Sequence, residues 1–152
     1  MWKLILSVML FSFQVKAEVF SYNDLTNLEE GNVSSVLIRS QTVTVNGHQE
    51  YEWKECEKVG FVCYSSYPLV VVWPKKFDRN EWDYSGITFK AVKVNDLSLL
   101  GERFDDLYAV KSSSRNLGSI FFISQRCGMI AIQDVGRKSF LLVDRRCGLG
   151  RA

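Results

Sequence analysis

The chain has 152 residues, 47% of them hydrophobic, with 19 basic and 17 acidic side chains and a formal net charge of +2. That length suits one domain with a real hydrophobic core. So balanced a charge speaks against a nucleic-acid binder, which carries a basic excess.

The chain opens with Lys3, then the apolar run "LILSVMLFSF" from Leu4 to Phe13, then Val15 and Ala17 at small-residue cleavage positions. This layout predicts a secretory signal peptide over 1–17, cut after Ala17, and a single β-rich domain over 18–152. The apolar run is half of the roughly 20 residues that a membrane span needs, and no second long run follows it. No membrane anchor is therefore expected after cleavage, and the expected location is the periplasm or the cell exterior. Cleavage removes Lys3 and Lys16 and no acid, which leaves basic and acidic side chains equal in number. Their distribution is uneven. Acids dominate residues 18–110, whereas 111–152 holds Lys111, Arg115, Arg126, Arg137, Lys138, Arg145, Arg146 and Arg151 against Asp134 and Asp144. Either the fold sets basic strands beside acidic ones, or a basic patch faces an acidic partner.

In chain order, "SYNDLTNLEEG" over 21–31 reads as a short helix, capped by Asn23 or Asp24, with Leu25 and Leu28 on one face and Gly31 at its end. "NVS" at Asn32 matches the glycosylation sequon, a match that arises easily by chance. "TVTV", Asn46-Gly47 and "EYEWKE" predict a hairpin with Tyr51 and Trp53 on one face. "PLVVVWP" is a β-branched run with Pro68 and Pro74 expected at its ends. "KKFDRNEWDYSG" reads as a polar loop carrying Trp82 and Tyr84, "ITFKAVKV" as an alternating strand, and "NDLSLLGERF" as a helical turn. "DDLYAVKSSS", "GSIFFISQ", "MIAIQ" and "KSFLLVD" complete a meander. The expected fold is mainly β: a single antiparallel β-barrel or sandwich-like domain with one or two short helices, stapled by disulfides.

Cys56, Cys63, Cys127 and Cys147 are an even set in a chain read as exported, so they are expected to pair. Four cysteines allow three connectivities. Local symmetry favours 56–63, about Val59-Gly60, and 127–147, about Arg137, where Arg-Cys-Gly stands at both ends of one hairpin. Gly128 and Gly148 then leave room beside the bridge or let the strands bend. The cysteine spacing does not match a structural zinc site, and no metal or other cofactor is expected.

His48 is the only histidine and follows the Asn46-Gly47 turn, where a solvated role is expected. A Ser-His-Asp or Cys-His mechanism would have to run through it, and no catalytic residue is assigned. Glu50, Glu52, Glu55 and Glu57, with the pairs Glu29-Glu30 and Asp105-Asp106, are the carboxylates a glycosidase would draw on. Alternating acids on a strand more often mark its wet face. The binding candidates are Trp82 and Tyr84, as loop aromatics among charges, and Arg126, Arg145 and Arg146 beside the expected bridge. The leading expectation is a small exported non-enzymatic protein that covers a protein partner, in an inhibitor or immunity-type role. The alternatives are a carboxylate-dependent hydrolase of glycans and a structural component of an envelope assembly.

Overall fold

The structure is a computed structural model that describes residues 18–24, 35–39, 42–47, 49–52, 54–56, 58–66, 69–95, 97–99, 101–113, 119–134, 139–144 and 146–150. The leader at 1–17, residues 25–31 of the expected helix, and Asn32, His48, Trp53, Glu57, Pro68 and Arg145 lie outside the described residues. Among the described residues the chain is mainly β and contains no helix.

β1 (Phe20–Asp24) takes the start of the segment read as helical. Phe20, Tyr22 and Asp24 are buried while Ser21 and Asn23 are half-exposed. This period of two is set by two aromatics at alternate positions, Phe20 and Tyr22. β2 (Ser35–Ile38), β3 (Thr42–Val45) and β4 (Gln49–Glu52) continue from β1 as a meander. The β3–β4 hairpin turns at Asn46 and Gly47, whose φ values of +52° and +69° are the conformation that Asn-Gly tolerates best.

β5 (Lys54–Glu55), β6 (Phe61–Ser66) and β7 (Leu69–Pro74) form a separate three-stranded sheet. The β5–β6 register carries on to Cys56 and Cys63, where the Cys56 N–H donates to the Cys63 carbonyl at 3.1 Å and the sulfurs are bonded. Gly60 has φ +78° at the third position of the Lys58–Phe61 turn, as a type II turn requires. Pro74 closes β7, as expected.

β8 (Glu81–Tyr84) and β9 (Ile87–Val94) form a hairpin out of what reads as a polar loop and a strand. Ser85 and Gly86, at φ +49° and +76°, make the two-residue loop with both φ positive that closes tight hairpins. β10 (Leu97–Leu99) and β11 (Glu102–Phe104) replace the expected helical turn. Leu97 pairs with Phe104, both pack on the core, and Gly101 turns between them with φ +80°. β12 (Leu107–Ser112), β13 (Ser119–Ser124), β14 (Gly128–Asp134) and β15 (Ser139–Val143) are the expected meander.

The long sheet has ten antiparallel strands in the order β4-β3-β2-β1-β15-β14-β13-β12-β9-β8. Pairing of β1 with β15 brings the first and last strands together mid-sheet and joins the two meanders. Its edges, β4 and β8, do not pair with each other, so there is no closed barrel. The three-stranded sheet shares one core with the long sheet. Val71, Val72 and Trp73 of β7 are buried in succession, the mark of a strand covered on both faces. The Trp82 indole N–H reaches across from β8 to the Val72 carbonyl at 3.1 Å.

Cys127 and Cys147 are bonded, as the repeated Arg-Cys-Gly suggests, but not as direct neighbours of one hairpin. The β14–β15 ladder ends at Ala131–Leu142, and β15 then follows β1 as far as the Asp144 N–H, which donates to the Ser21 carbonyl at 2.9 Å. The chain returns to β14 at Gly148 and Leu149, where the Gly148 N–H meets the Cys127 carbonyl and the Met129 N–H meets the Leu149 carbonyl, both at 2.8 Å. Tyr22 locks this return. Its buried hydroxyl donates to the Met129 carbonyl at 2.6 Å and accepts the Leu149 N–H at 3.1 Å.

Candidate functional site

The sequence-derived binding residues fall into two separate regions. Trp82 is not a loop residue. It lies on β8, is 5% exposed, stacks on Phe89 at 6.1 Å and contacts Phe61 and Phe77 edge-on or tilted. Its neighbours Glu81 and Asp83 point outward, so the charges that suggested a loop are the wet face of a strand. Tyr84 is half-buried, with the Lys58 ammonium 5.6 Å above its ring.

Arg126 and Arg146 are exposed near the Cys127–Cys147 bridge, and both are paired. Arg126 meets Asp105 at 2.8 Å and Asp106 at 3.4 Å, and Arg146 meets Glu102 at 3.2 Å. Basic residues of the C-terminal third thus lie against acids of the preceding hairpin, and the uneven charge of the sequence is mixed here by the fold. β14, which follows Arg126, is four strands from β8 in the sheet, roughly 19 Å at the usual strand spacing. The two candidate groups do not form one site.

Asp106 organises that end. Its carboxylate accepts the Ser124 hydroxyl at 3.0 Å and the Arg126 N–H at 2.9 Å, and the Ser124 oxygen in turn accepts the Cys127 N–H at 3.0 Å. Burial works against its ionised form but is outweighed by the Arg126 N–H, the Ser124 hydroxyl and the Arg126 guanidinium, which together hold the carboxyl below the usual range. A carboxyl depressed on folding contributes stability above its unfolded pKa, near 4, and loses it as pH falls through the folded value. Asp106→Asn is therefore expected to cost on the order of 1.5 kcal/mol at pH 7, through weaker hydrogen bonds to an uncharged acceptor. The difference from wild type should shrink between about pH 5 and pH 2. Urea unfolding at stepped pH checks this, and a pH-independent difference contradicts the assignment.

A surface that the sequence reading passed over lies at the β9 end of the long sheet. β8 pairs with β9 only from Ile87 to Lys90, after which the Ala91 N–H donates to the Asn80 carbonyl at 2.8 Å. β9 continues through Val92, Lys93 and Val94 with β12 on one side and, among the described residues, no strand on the other. The backbone direction follows from alternation. The Thr88 carbonyl accepts the Ser113 N–H on the β12 side, whereas the Ala91 N–H faces the β8 side. Every second residue faces the same way along an antiparallel ladder, so the Lys93 N–H and C=O and the Ala91 C=O face the unpaired side.

Beside this edge runs an open groove of about 580 Å³, bounded by Asp78, Arg79 and Asn80 across from Val92 and Lys93. Phe77 and Tyr108 line it as a stacked pair, with ring centroids 3.9 Å apart and planes 7° from parallel. Val92 is 67% exposed, one of few large apolar side chains so placed among the described residues. Arg79 pairs with its neighbour Asp78, whose carboxyl the Arg79 side chain holds below its ordinary value. Lys93 is exposed and has no ion-pair partner among the described residues.

One signal could have exposed this edge. "ITFKAVKV" does not keep a single alternation. Ile87, Phe89 and Ala91 share one phase and Val92 and Val94 the other, which puts an apolar residue on the wet face at Val92.

A smaller hollow of about 190 Å³ lies between the sheets, lined in part by Glu18, Arg39, Glu55 and Tyr64. Burial, then Glu55 and Glu18, pushes the Tyr64 phenol up to about 12. Of the carboxylates noted in the sequence, Glu55 reaches this hollow, whereas Glu50 and Glu52 lie exposed on β4. Comparison of the chain with protein-family models, curated proteins and solved structures finds no match.

Proposed function

We propose that this chain is a small exported binding protein without catalytic activity, which acts by covering a protein partner in an inhibitor or immunity-type role. The observation that carries the reading is the groove beside the unpaired β9 edge, where exposed Val92 and the Phe77–Tyr108 stack offer apolar surface next to cations. Contact surfaces that combine aromatic anchors with a charged rim are the usual setting of interface hot spots. The two disulfides support an oxidising compartment and hold the scaffold that presents the groove. In this reading, Arg126 and Arg146 are engaged in surface ion pairs within the chain and Trp82 belongs to the core, so the contact surface shifts to Val92, Lys93 and Tyr108.

The test uses the disulfide-intact protein to capture an exported partner, which is then identified, purified and titrated by calorimetry. Val92→Arg is expected to weaken that complex by about tenfold or more, with the unfolding midpoint unchanged because the side chain is exposed. Unaltered affinity in Val92→Arg counts against the groove. The hydrolase alternative would place its chemistry at Glu18 and Glu55 in the smaller hollow. Turnover of a glycan panel that is abolished by Glu55→Gln would replace the binding reading with that one.

A further inference from the structure

We infer that the unpaired edge of β9 at Ala91–Val94 takes up an extended acidic peptide segment of a partner as an added β-strand. This deepens the binding reading and rests on it. The backbone supplies the first argument. The Lys93 N–H and C=O and the Ala91 C=O face away from β12, at the spacing with which a strand presents groups to a neighbour. Strand addition gains affinity from such main-chain groups and selectivity from the pockets that receive alternate side chains.

Here the alternation offers two different receptions. On the inner side, an incoming side chain meets Lys93 and the Phe77–Tyr108 stack; on the outer side, it meets exposed Val92. The charge of the groove wall selects the sign of the ligand. The lining carries Arg79, paired with Asp78, on one wall and exposed Lys93 across the gap, two cations against one acid, so Lys93 is the cation left to meet an incoming carboxylate. A segment alternating acidic and apolar residues fits both faces. A second copy of this chain fits poorly, because β9 against β9 about a two-fold axis at Lys93 would set like charges directly opposite, which is unfavourable. The edge is also bounded. The Ala91 N–H is already taken by Asn80, which fixes where the added strand must stop.

The probe is a synthetic eight-residue peptide of alternating Glu and Val. The controls are the same peptide with every second amide N-methylated and a peptide with Lys in place of Glu. Backbone amide shifts and hydrogen exchange are read by NMR on the ¹⁵N-labelled, disulfide-intact protein. The Glu–Val peptide is expected to shift Val92, Lys93 and Val94 and to slow exchange of the Lys93 amide by about tenfold or more at saturation. The N-methylated peptide should bind at least about tenfold more weakly, since it cannot complete the ladder. Lys93→Glu, at an exposed site, should reverse the preference towards the Lys peptide. Equal binding of the N-methylated peptide, an unprotected Lys93 amide, or a concentration-dependent dimer that protects this edge by itself overturns the inference. A captured partner that responds to Val92→Arg while Lys93 stays unprotected in its complex overturns strand addition and leaves the binding reading standing. A protected Lys93 with the peptide, when Val92→Arg leaves partner affinity untouched, supports the site and removes the proposed role.

Discussion

Trp82→Ala is expected to destabilise the protein by about 3–5 kcal/mol, the usual cost of deleting a buried tryptophan. Three contributions converge at this side chain. The indole is almost fully buried between the sheets, so truncation opens a cavity in a core shared by both. The Val72 carbonyl on β7 loses the N–H that satisfies it, and an unpaired buried acceptor adds roughly 1–3 kcal/mol. The aromatic contacts with Phe61, Phe77 and Phe89 are also lost. Chemical denaturation with native disulfides measures the effect. A loop aromatic serving as a contact anchor would instead leave stability intact and lower partner affinity, so an unchanged midpoint would restore the reading that the sequence invites.

Gly148→Ala should be comparably damaging for a different reason. A Cβ at this position would overlap the Met129 carbonyl oxygen and lie 2.7 Å from the Tyr22 hydroxyl. Neither can retreat cheaply, because the first is backbone within β14 and the second is held by hydrogen bonds to Met129 and Leu149. The return of the chain beside Cys127 must loosen, at a cost on the order of 3 kcal/mol or more, as for overpacking of a buried site. Gly47→Ala is the contrasting substitution. Gly47 has φ +69° and nothing within 4 Å of the added atom, so the cost is about 1 kcal/mol of backbone strain alone. Urea midpoints of the two variants separate crowding from conformation, and equal losses would contradict the tight packing at Gly148.

Much of the local architecture is legible in the residues themselves. Asn46-Gly47 announces its hairpin because few other pairs accept two successive positive φ angles. The pairing of Cys56 with Cys63 follows from their symmetry about Val59-Gly60, since a short segment closed by one turn favours the register that aligns them. The errors have physical causes too. "FDRNEWDYSG" reads as a loop when its charges are weighed by number, but Glu81 and Asp83 alternate with Trp82 and Tyr84, and Ser85-Gly86 supplies the turn. "SYND" reads as a helix start because Asn and Asp are good caps, whereas Phe20 and Tyr22 are drawn inward at strand spacing by the core of the folded sheet.

The amino-acid sequence by itself points to the β character, the Asn46-Gly47 turn and the pairing of Cys56 with Cys63, because each depends on residues close together along the chain. Only the tertiary structure decides that β1 lies beside β15, that Trp82 faces Val72, that Arg126 and Arg146 are neutralised by Asp105, Asp106 and Glu102, and that β9 outruns β8 to leave an unpaired edge. These depend on contacts between segments distant in sequence. Alternating hydrophobicity says that a strand has an inner face, but it does not say which strand will lie alongside or where that neighbour will stop.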